Sequence, residues 1–295
     1  MTDEVHALDV SRYNSVHNPA DYSIDWAGFY RSADRRAAEV RSALPHHGHI
    51  SYGAHPAQVL SVFAPPSAPG RIDPVFLFVH GGGFREGHPD HYDWLARPFV
   101  RSGIVFINVG YRLGGVVEAL ADVAAAIRWT WNGIGQYSGD PGRLWLGGHS
   151  AGAMVAASLA VRCDWQQGIG VPADVVRGAA CVSGLYDFRA RTAHLGISEN
   201  TAAQIDPMTN IYRRSVSAII GYGRREANRA AGDREAFARS GEHFARNLLA
   251  GHCVPSVVAC DTRAHTDTIE RLGDPASELF RSVAQLMMWG DADSN

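Results

Sequence analysis

The segment GHSAG at residues 148–152 constrains the fold of this chain more than any other feature. A short apolar run at residues 144–146 precedes it, and small apolar residues follow it over 151–161. Two glycines that flank a serine at this spacing let a chain turn from a strand into a helix in almost no space, and this strained turn exposes the serine hydroxyl at the edge of a sheet. Chance is the alternative in a chain with 31 glycines, but the strand before and the helix after favour the turn. Ser150 is therefore a candidate nucleophile.

Apolar runs alternate with helical patterns along the rest of the chain. Strands are predicted at residues 59–63, 75–79, 104–109, 144–146, 175–182, 216–220 and 254–260, and helices at 26–41, 116–131, 151–161 and 234–250. Several strands are continuously apolar, as strands covered on both faces should be. This alternation predicts an α/β fold with a mostly parallel, doubly wound sheet and helices on both faces. We expect a single domain over residues 1–295, with residues 1–50 and about 185–212 as a small lid.

The composition excludes several classes of protein. The 295 residues include no lysine, so all 27 basic residues are arginine. P-loop ATPases, pyridoxal-phosphate enzymes and Schiff-base aldolases each need a lysine amine. The net charge is −3 without a basic cluster, so no nucleic-acid partner is expected. The apolar runs are too short to span a bilayer, and the N-terminus lacks a signal-peptide pattern. The four cysteines form no C-x-x-C pair. A cytoplasmic location without a membrane partner is therefore the simplest expectation.

A second glycine motif, HGGGF at residues 80–84, directly follows the predicted strand 75–79. Consecutive glycines let bare main-chain amides approach a substrate carbonyl. Together with the amide of Ala151, the amides of Gly82 and Gly83 would form an oxyanion hole, in which one donor contributes about 3 kcal/mol of transition-state stabilisation. A flexible loop or a phosphate cradle is the alternative, but a phosphate cradle usually opens a helix directly, whereas residues 84–89 continue as a loop.

These motifs resemble those of a known superfamily. The chain resembles the α/β-hydrolase superfamily in three segments, HGGGF at 80–84, VGYRL at 109–113 and GGHSAG at 147–152. Within this superfamily, it resembles the carboxylesterases related to hormone-sensitive lipase and the arylformamidase (kynurenine formamidase) branch. Three further segments of the chain resemble the formamidase branch, namely YGAHP at 52–56, SGLYD at 183–187 and HTDTIERL at 265–272. The resemblance extends from about residue 50 to about residue 290. It implies an α/β-hydrolase fold and the order serine, acid, histidine along the chain.

By this order His265 is the expected base, because it follows the late strand 254–260 and precedes a helix. Thr266 stands where the formamidase pattern usually has an aromatic residue. Two acids are candidates for orienting the imidazole. Glu226 lies just past the strand 216–220, and Asp233 matches the formamidase spacing to later aromatic residues. We favour Glu226 because the acid must stay near the end of its strand, and Asp233, which could instead be a helix N-cap, remains the alternative.

Other residues are weaker candidates. Phe84, Tyr186 and His149 are expected to contribute to substrate binding, although aromatic side chains more often pack in a core. Five histidines could ligate a metal ion, but no H-E-x-x-H or cysteine cluster supports this reading, so we expect neither a metal nor another cofactor. Those histidines are His46, His47 and His49, which we expect in a loop, and His88 and His91.

Taken together, the residues predict a serine hydrolase that cleaves a small carboxylic ester or an aryl formamide through an acyl-enzyme. The absence of a long apolar lid helix in the pattern favours short acyl groups. An amidase or carbamate hydrolase with the same triad remains an alternative, and a non-catalytic receptor or scaffold of the same fold is a remote one. The expected partner is a small-molecule ester or amide substrate, and a homodimer stays open.

Overall fold

An eight-stranded sheet forms the centre of the molecule in the computed structural model, which describes residues 26–66, 70–213, 216–226, 236–262 and 264–289. The strands are β1 (His46–Ser51), β2 (Val59–Phe63), β3 (Asp73–Val79), β4 (Val105–Val109), β5 (Gly139–His149), β6 (Val176–Val182), β7 (Ser217–Gly223) and β8 (Val254–Cys260). Their order across the sheet is β1-β2-β4-β3-β5-β6-β7-β8. Strand β2 is antiparallel to both of its neighbours, and the pairs from β4 to β8 are all parallel.

Helices precede, connect and follow these strands. They are α1 (Trp26–Ala43), α2 (Ala96–Arg101), α3 (Val116–Gly133), α4 (Ala151–Val161), α5 (Gln166–Ile169), α6 (Thr192–Leu195), α7 (Glu199–Ile205), α8 (Ala236–Ala250), α9 (His265–Leu272) and α10 (Glu278–Trp289). Short 3₁₀ helices occupy Pro89–Leu95, Ile134–Tyr137 and Arg189–Arg191. No helix in these ranges is long and apolar enough to cross a membrane.

Helices cover both faces of the sheet, as the continuously apolar strands predict. All seven residues of β3 are buried. Leu77 belongs to a core shared with α3, α4 and α8, whereas its neighbours Phe76 and Phe78 belong to a second core shared with α1, α2 and α10. Successive side chains of a strand point to opposite faces, so one strand contributes to both cores. The predicted α/β fold with a mostly parallel, doubly wound sheet is confirmed.

Strand β1 was not predicted, because the sequence analysis placed its histidines His46, His47 and His49 in a loop. It is an edge strand whose residues are exposed or half-exposed, and within the described part of the chain it pairs with β2 alone. Main-chain hydrogen bonds with β2 define it, and its polar side chains give no apolar alternation from which a strand could be read. Strand β5 is also longer than the predicted residues 144–146, since its polar first half continues the sheet beside Asp73.

Parallel strands bring their carboxyl ends to one edge of the sheet, which we call the carboxyl edge. The segments that follow β3, β5, β6, β7 and β8 therefore all begin at this edge. They include residues 80–86 after β3, which we call the GGG loop, Ser150 after β5 and Glu226 after β7. Ligands of open α/β sheets bind at this edge, which makes it the place to look for a site.

Candidate functional site

Ser150 lies at the sharp turn between β5 and α4. Its backbone has φ 56° and ψ −118°, a left-handed conformation that is costly for a residue with a side chain. The turn is tight because Gly148 and Gly152 touch: a Cβ on Gly148 would lie 2.2 Å from the carbonyl carbon of Gly152. The Ser150 amide donates to the carbonyl of Val182 on β6 at 2.9 Å, which ties the turn to the neighbouring strand. The residue remains partly accessible.

His265 is the first residue of α9, directly after the loop that follows β8. Its Nδ1 donates to Oε1 of Glu226, which lies three residues beyond β7. Because β7 and β8 are neighbours in the sheet, the two short loops deliver these side chains to the same place. The Nδ1 bond fixes the tautomer of the ring, so that Nε2 is the nitrogen able to take up a proton. The alternative acid, Asp233, lies outside the described residues.

The Glu226 carboxylate is fully buried and accepts hydrogen bonds at both oxygens. Besides the imidazole on Oε1, three donors converge on Oε2: Ser183 Oγ at 2.7 Å, the Gly223 amide at 2.9 Å and Thr268 Oγ1 at 3.1 Å. A buried charge is tolerated when its lone pairs are satisfied in this way. The donors therefore fix the carboxylate in a geometry that orients the His265 ring.

Two further rings pack against the His265 imidazole. The ring of Phe237 on α8 and the ring of His149 each lie with their centroids 4.5 Å from it. His149 Nε2 also lies 3.2 Å from the main-chain oxygen of His265, so in the tautomer that donates there it holds this residue from a second side. Burial first, and then the charge of His265, lowers the pKa of His149 well below its usual range, so His149 stays neutral. Since His149 precedes Ser150, these contacts bring the base beside the turn that carries the serine.

The GGG loop lies on the other side of Ser150. Gly82, Gly83 and Phe84 have φ values of 118°, 61° and 64°, three left-handed residues in succession. Gly81 packs directly on the turn, since a Cβ there would lie 3.1 Å from Ser150 Cβ. Within the described ranges, the main-chain amides of Gly82, Gly83 and Ala151 donate to no acceptor. Unpaired amides beside a candidate nucleophile are what an oxyanion hole requires.

The buried side chain of His80 stabilises the start of this loop. It is buried, stacks on Tyr111 with ring centroids 4.4 Å apart, and its Nδ1 lies 2.7 Å from the Gly81 oxygen. Burial lowers the pKa of His80 to about 3, so its ring stays neutral near pH 7 and its Nδ1–H can donate to that oxygen. The Tyr111 hydroxyl donates to the His80 carbonyl at 3.0 Å, which anchors the start of the loop. The histidine of the HGGGF motif thus has a structural role.

The expected pocket residues differ in their surroundings. Phe84 is buried at the left-handed end of the GGG loop. Tyr186 is 1% exposed, stacks on Phe244 and donates to the Cys181 carbonyl at 3.3 Å, an arrangement that favours packing over contact with a substrate. Within the described residues, no group of three or more histidine, cysteine or acidic side chains converges as metal ligands would.

Sequence reasoning missed three residues of the site. Ser183 and Thr268 donate to Glu226, and Phe237 packs on His265. Ser183 has φ 52°, a strained backbone like that of Ser150, at the carboxyl end of β6. The segments SGLYD and HTDTIERL, which carry two of these residues, were recognised only as similar to a family. Their donor role depends on distances across the sheet that no local pattern encodes.

Several known proteins are similar to this chain in sequence or in fold. Kynurenine formamidase of Danio rerio is 33% identical over 159 residues, which cover 54% of this chain and 52% of that protein. Esterase LipI of Mycobacterium tuberculosis is 36% identical over 106 residues, 34% of this chain and 33% of that protein. The chain thus spans about half or less of these relatives. Esterase B of Lactobacillus rhamnosis, in an inhibited form, has a similar fold with a TM-score of 0.69 at 19% identity, covering 92% of this chain and 97% of its own.

The match to a family model is more extensive. A model described by the alpha/beta hydrolase fold matches residues 76–251, which is more than half of the chain. The matched range begins in β3, contains the GGG loop, the Ser150 turn and Glu226, and ends after α8. With the sheet order and the strand–turn–helix around Ser150, this shows that the chain belongs to the α/β-hydrolase family.

Proposed function

We propose that this protein is a serine hydrolase that cleaves small carboxylic esters or aryl formamides through an acyl-enzyme. The observation that carries the proposal is the Glu226–His265 pair beside the strained Ser150 turn, with three amides near this turn that have no acceptor within the described residues. Nucleophile, base, orienting acid and oxyanion donors are the groups that acyl transfer needs.

In the first step, Ser150 Oγ attacks the substrate carbonyl while His265 Nε2 takes the hydroxyl proton. The carbonyl oxygen becomes an oxyanion, which the amides of Gly82, Gly83 and Ala151 stabilise by about 3 kcal/mol for each donor. The imidazolium that forms is stabilised by the carboxylate of Glu226, which three other donors hold in place. Since His149 is neutral, it adds no positive charge beside the imidazolium.

In the second step, the tetrahedral intermediate collapses and His265 gives its proton to the leaving alcohol or amine. A water molecule then attacks the acyl-enzyme with His265 as the base, which releases the acid and restores the Ser150 hydroxyl. Every proton passes through His265 Nε2. The mechanism is complete without a metal or a cofactor.

The substrate class is supported by the names of the relatives. One is a kynurenine formamidase and others are esterases, and both reactions pass through the same kind of acyl-enzyme. The third glycine, Gly83, faces open space, since a Cβ there would meet no atom within 4 Å. This open space beside the oxyanion amides supports the proposed preference for a small acyl group. The cytoplasmic location remains a prediction of the sequence.

The test compares hydrolysis of p-nitrophenyl acetate and N-formylkynurenine by the wild type and by Ser150→Ala. We expect Ser150→Ala to lose nearly all turnover while its thermal midpoint stays unchanged, because the serine side chain makes no hydrogen bond on which the described fold depends. Ser256→Ala, on the exposed surface of β8, is the matched control and should behave as the wild type. Wild-type turnover in Ser150→Ala would show that another residue is the nucleophile. Faster cleavage of the formamide would assign an arylformamidase, and faster cleavage of the ester a carboxylesterase.

A further inference from the structure

Arg85 lies two residues beyond Gly83, in the exposed part of the GGG loop. Its Nη2 donates to the carbonyl of His194 on α6 at 3.5 Å. The loop follows β3 and α6 follows β6, while β5, which ends one residue before Ser150, lies between these two strands in the sheet. The Arg85–His194 contact therefore crosses the carboxyl edge above the strand that carries the candidate nucleophile.

Arg85 brings a positive charge to this place. Within the described residues, the long contact with a neutral carbonyl is the one hydrogen bond of its side chain, and its guanidinium has no carboxylate within ion-pair distance. His194 and Arg191 lie at the other end of this contact, in the segment that follows β6. Burial, and then the charges of Arg85 and Arg191, lower the pKa of His194.

The acidic side chains of these two segments have other contacts. Asp187 accepts the Ala190 amide at 2.9 Å, and Asp206 accepts the amides of Arg189 and Met208. The side chain of Glu86 lies against Gly82, and its charge acts on the buried Tyr92. A guanidinium in this setting keeps most of its donors for a ligand, and its planar fork matches a carboxylate.

We propose that Arg85 binds an anionic group of the substrate, so that the preferred substrates are esters or formamides that carry a carboxylate a few bonds from the scissile carbonyl. This inference rests on the proposed hydrolase function and adds a substrate class to it. The anion is held over Ser150 from the β3 side, with Arg191 adding to the positive potential from the β6 side.

The experiment uses two matched pairs of substrates. Mono-(4-nitrophenyl) glutarate and its methyl ester differ in a charge on the acyl side, and 4-acetoxybenzoate and its methyl ester differ in a charge on the leaving group. The variants are Arg85→Gln, which removes the charge, Arg85→Lys, which keeps it, and Arg177→Gln. Arg177 is an exposed arginine at the opposite end of β6, bonded to the Gly142 carbonyl, and serves as the control for net charge.

For the anion in at least one pair, we expect Arg85→Gln to lower kcat/KM about tenfold, mainly through KM, since a charge-assisted hydrogen bond is lost. Both neutral methyl esters should change less than about twofold, and Arg85→Lys should recover part of the loss. The preference of the wild type for the anion should also weaken as NaCl rises from about 0.02 M to about 0.5 M. Arg177→Gln should leave all four substrates unchanged.

Equal effects of Arg85→Gln on anionic and neutral substrates in both pairs would overturn the inference, because the residue would then act only on the loop. In that case Ser150-dependent cleavage of the neutral esters would still stand, and the proposed function with it. Absence of Ser150-dependent turnover with all four substrates would contradict the proposed function itself and remove this inference with it.

Discussion

Two buried carboxylates in this molecule, Glu226 and Asp93, have similar surroundings and different roles. Both are at most 1% exposed, and each is bonded to a nitrogen-containing ionisable side chain and to at least one neutral donor. Glu226 pairs with the His265 imidazole at the carboxyl edge. Asp93, in the 3₁₀ helix Pro89–Leu95, accepts Arg41 Nη1 of α1 at 2.9 Å and Asn108 Nδ2 of β4 at 2.9 Å.

The difference lies in the partner. An imidazole can take up and release a proton near neutral pH, whereas a guanidinium is always charged. The first pair can therefore take part in a proton transfer, and the second can only hold α1 against the sheet. The balance between hydrogen bonds and burial also differs. Glu226 accepts four hydrogen bonds. At Asp93, burial outweighs the hydrogen bonds from Asn108 and Arg41 and raises the pKa of Asp93 to about 6. Burial of a carboxylate is thus no mark of a functional site unless its partner can exchange a proton.

The largest expected effect comes from exchanging each carboxylate for its amide. Glu226→Gln should lower kcat about 10³–10⁴-fold, because an amide neither fixes the required tautomer of His265 nor stabilises its imidazolium. Asp93→Asn should leave kcat within about twofold, since Asp93 lies under α1 and touches neither Ser150 nor His265. Steady-state kinetics and thermal midpoints of the two variants decide the comparison. If Asp93→Asn abolished turnover while the protein stayed folded, the division between the two pairs would be wrong.

A smaller effect is expected from the donors to Glu226. Ser183→Ala and Thr268→Val each remove one hydrogen bond to Oε2, and each should lower kcat/KM about five- to tenfold, since one such bond contributes about 1 kcal/mol. The pH profile should shift as well, because both donors act through the carboxylate that orients His265. Thr130→Val is the matched control, as the buried Thr130 hydroxyl bonds only to the Ala126 carbonyl within α3. An unchanged pH profile in both site variants would remove these residues from the orienting network.

The smallest effect concerns the pH dependence of stability at Asp93. The pKa of Asp93 is raised from 3.8 to about 6 in the folded protein, so the folded state binds a proton that the unfolded state has released between these values. Its stabilising contribution is therefore present below pH 3.8 and is lost as the pH rises through about 6. The thermal midpoint of the wild type minus that of Asp93→Asn should fall by a few degrees between about pH 4 and about pH 7. His80, whose depressed pKa acts in the opposite sense, is present in both proteins and cancels in this difference. A difference that does not change with pH would place the pKa of Asp93 near its usual value.

Much of the fold was readable from local pattern. The strands Val59–Phe63 and Val254–Cys260 and the helix Ala151–Val161 have the predicted bounds, because short valine-rich runs favour strands and a run of small apolar residues favours a helix. Strand β1 escaped prediction since it is defined by pairing with β2 and not by its own side chains. In the site, the glycines around Ser150 and in the GGG loop are informative because only glycine suits such close approaches. The donors Ser183 and Thr268 carry no comparable signal.

The sequence alone determined that a serine would stand at a strained strand-to-helix turn, with a glycine loop after the strand 75–79, because both features depend on glycines close together in the chain. It left two acids open, since distance along the chain does not say which loop meets His265. Only the tertiary structure placed Glu226 against His265, through the pairing of β7 with β8 and the parallel direction that brings their ends to one edge. The pairing of β6 with β7 set Ser183 on the remaining oxygen, beside the Gly223 amide, and the carboxylate is completely buried. Long-range strand order, which no local residue pattern specifies, decided the chemistry that the local motifs made available.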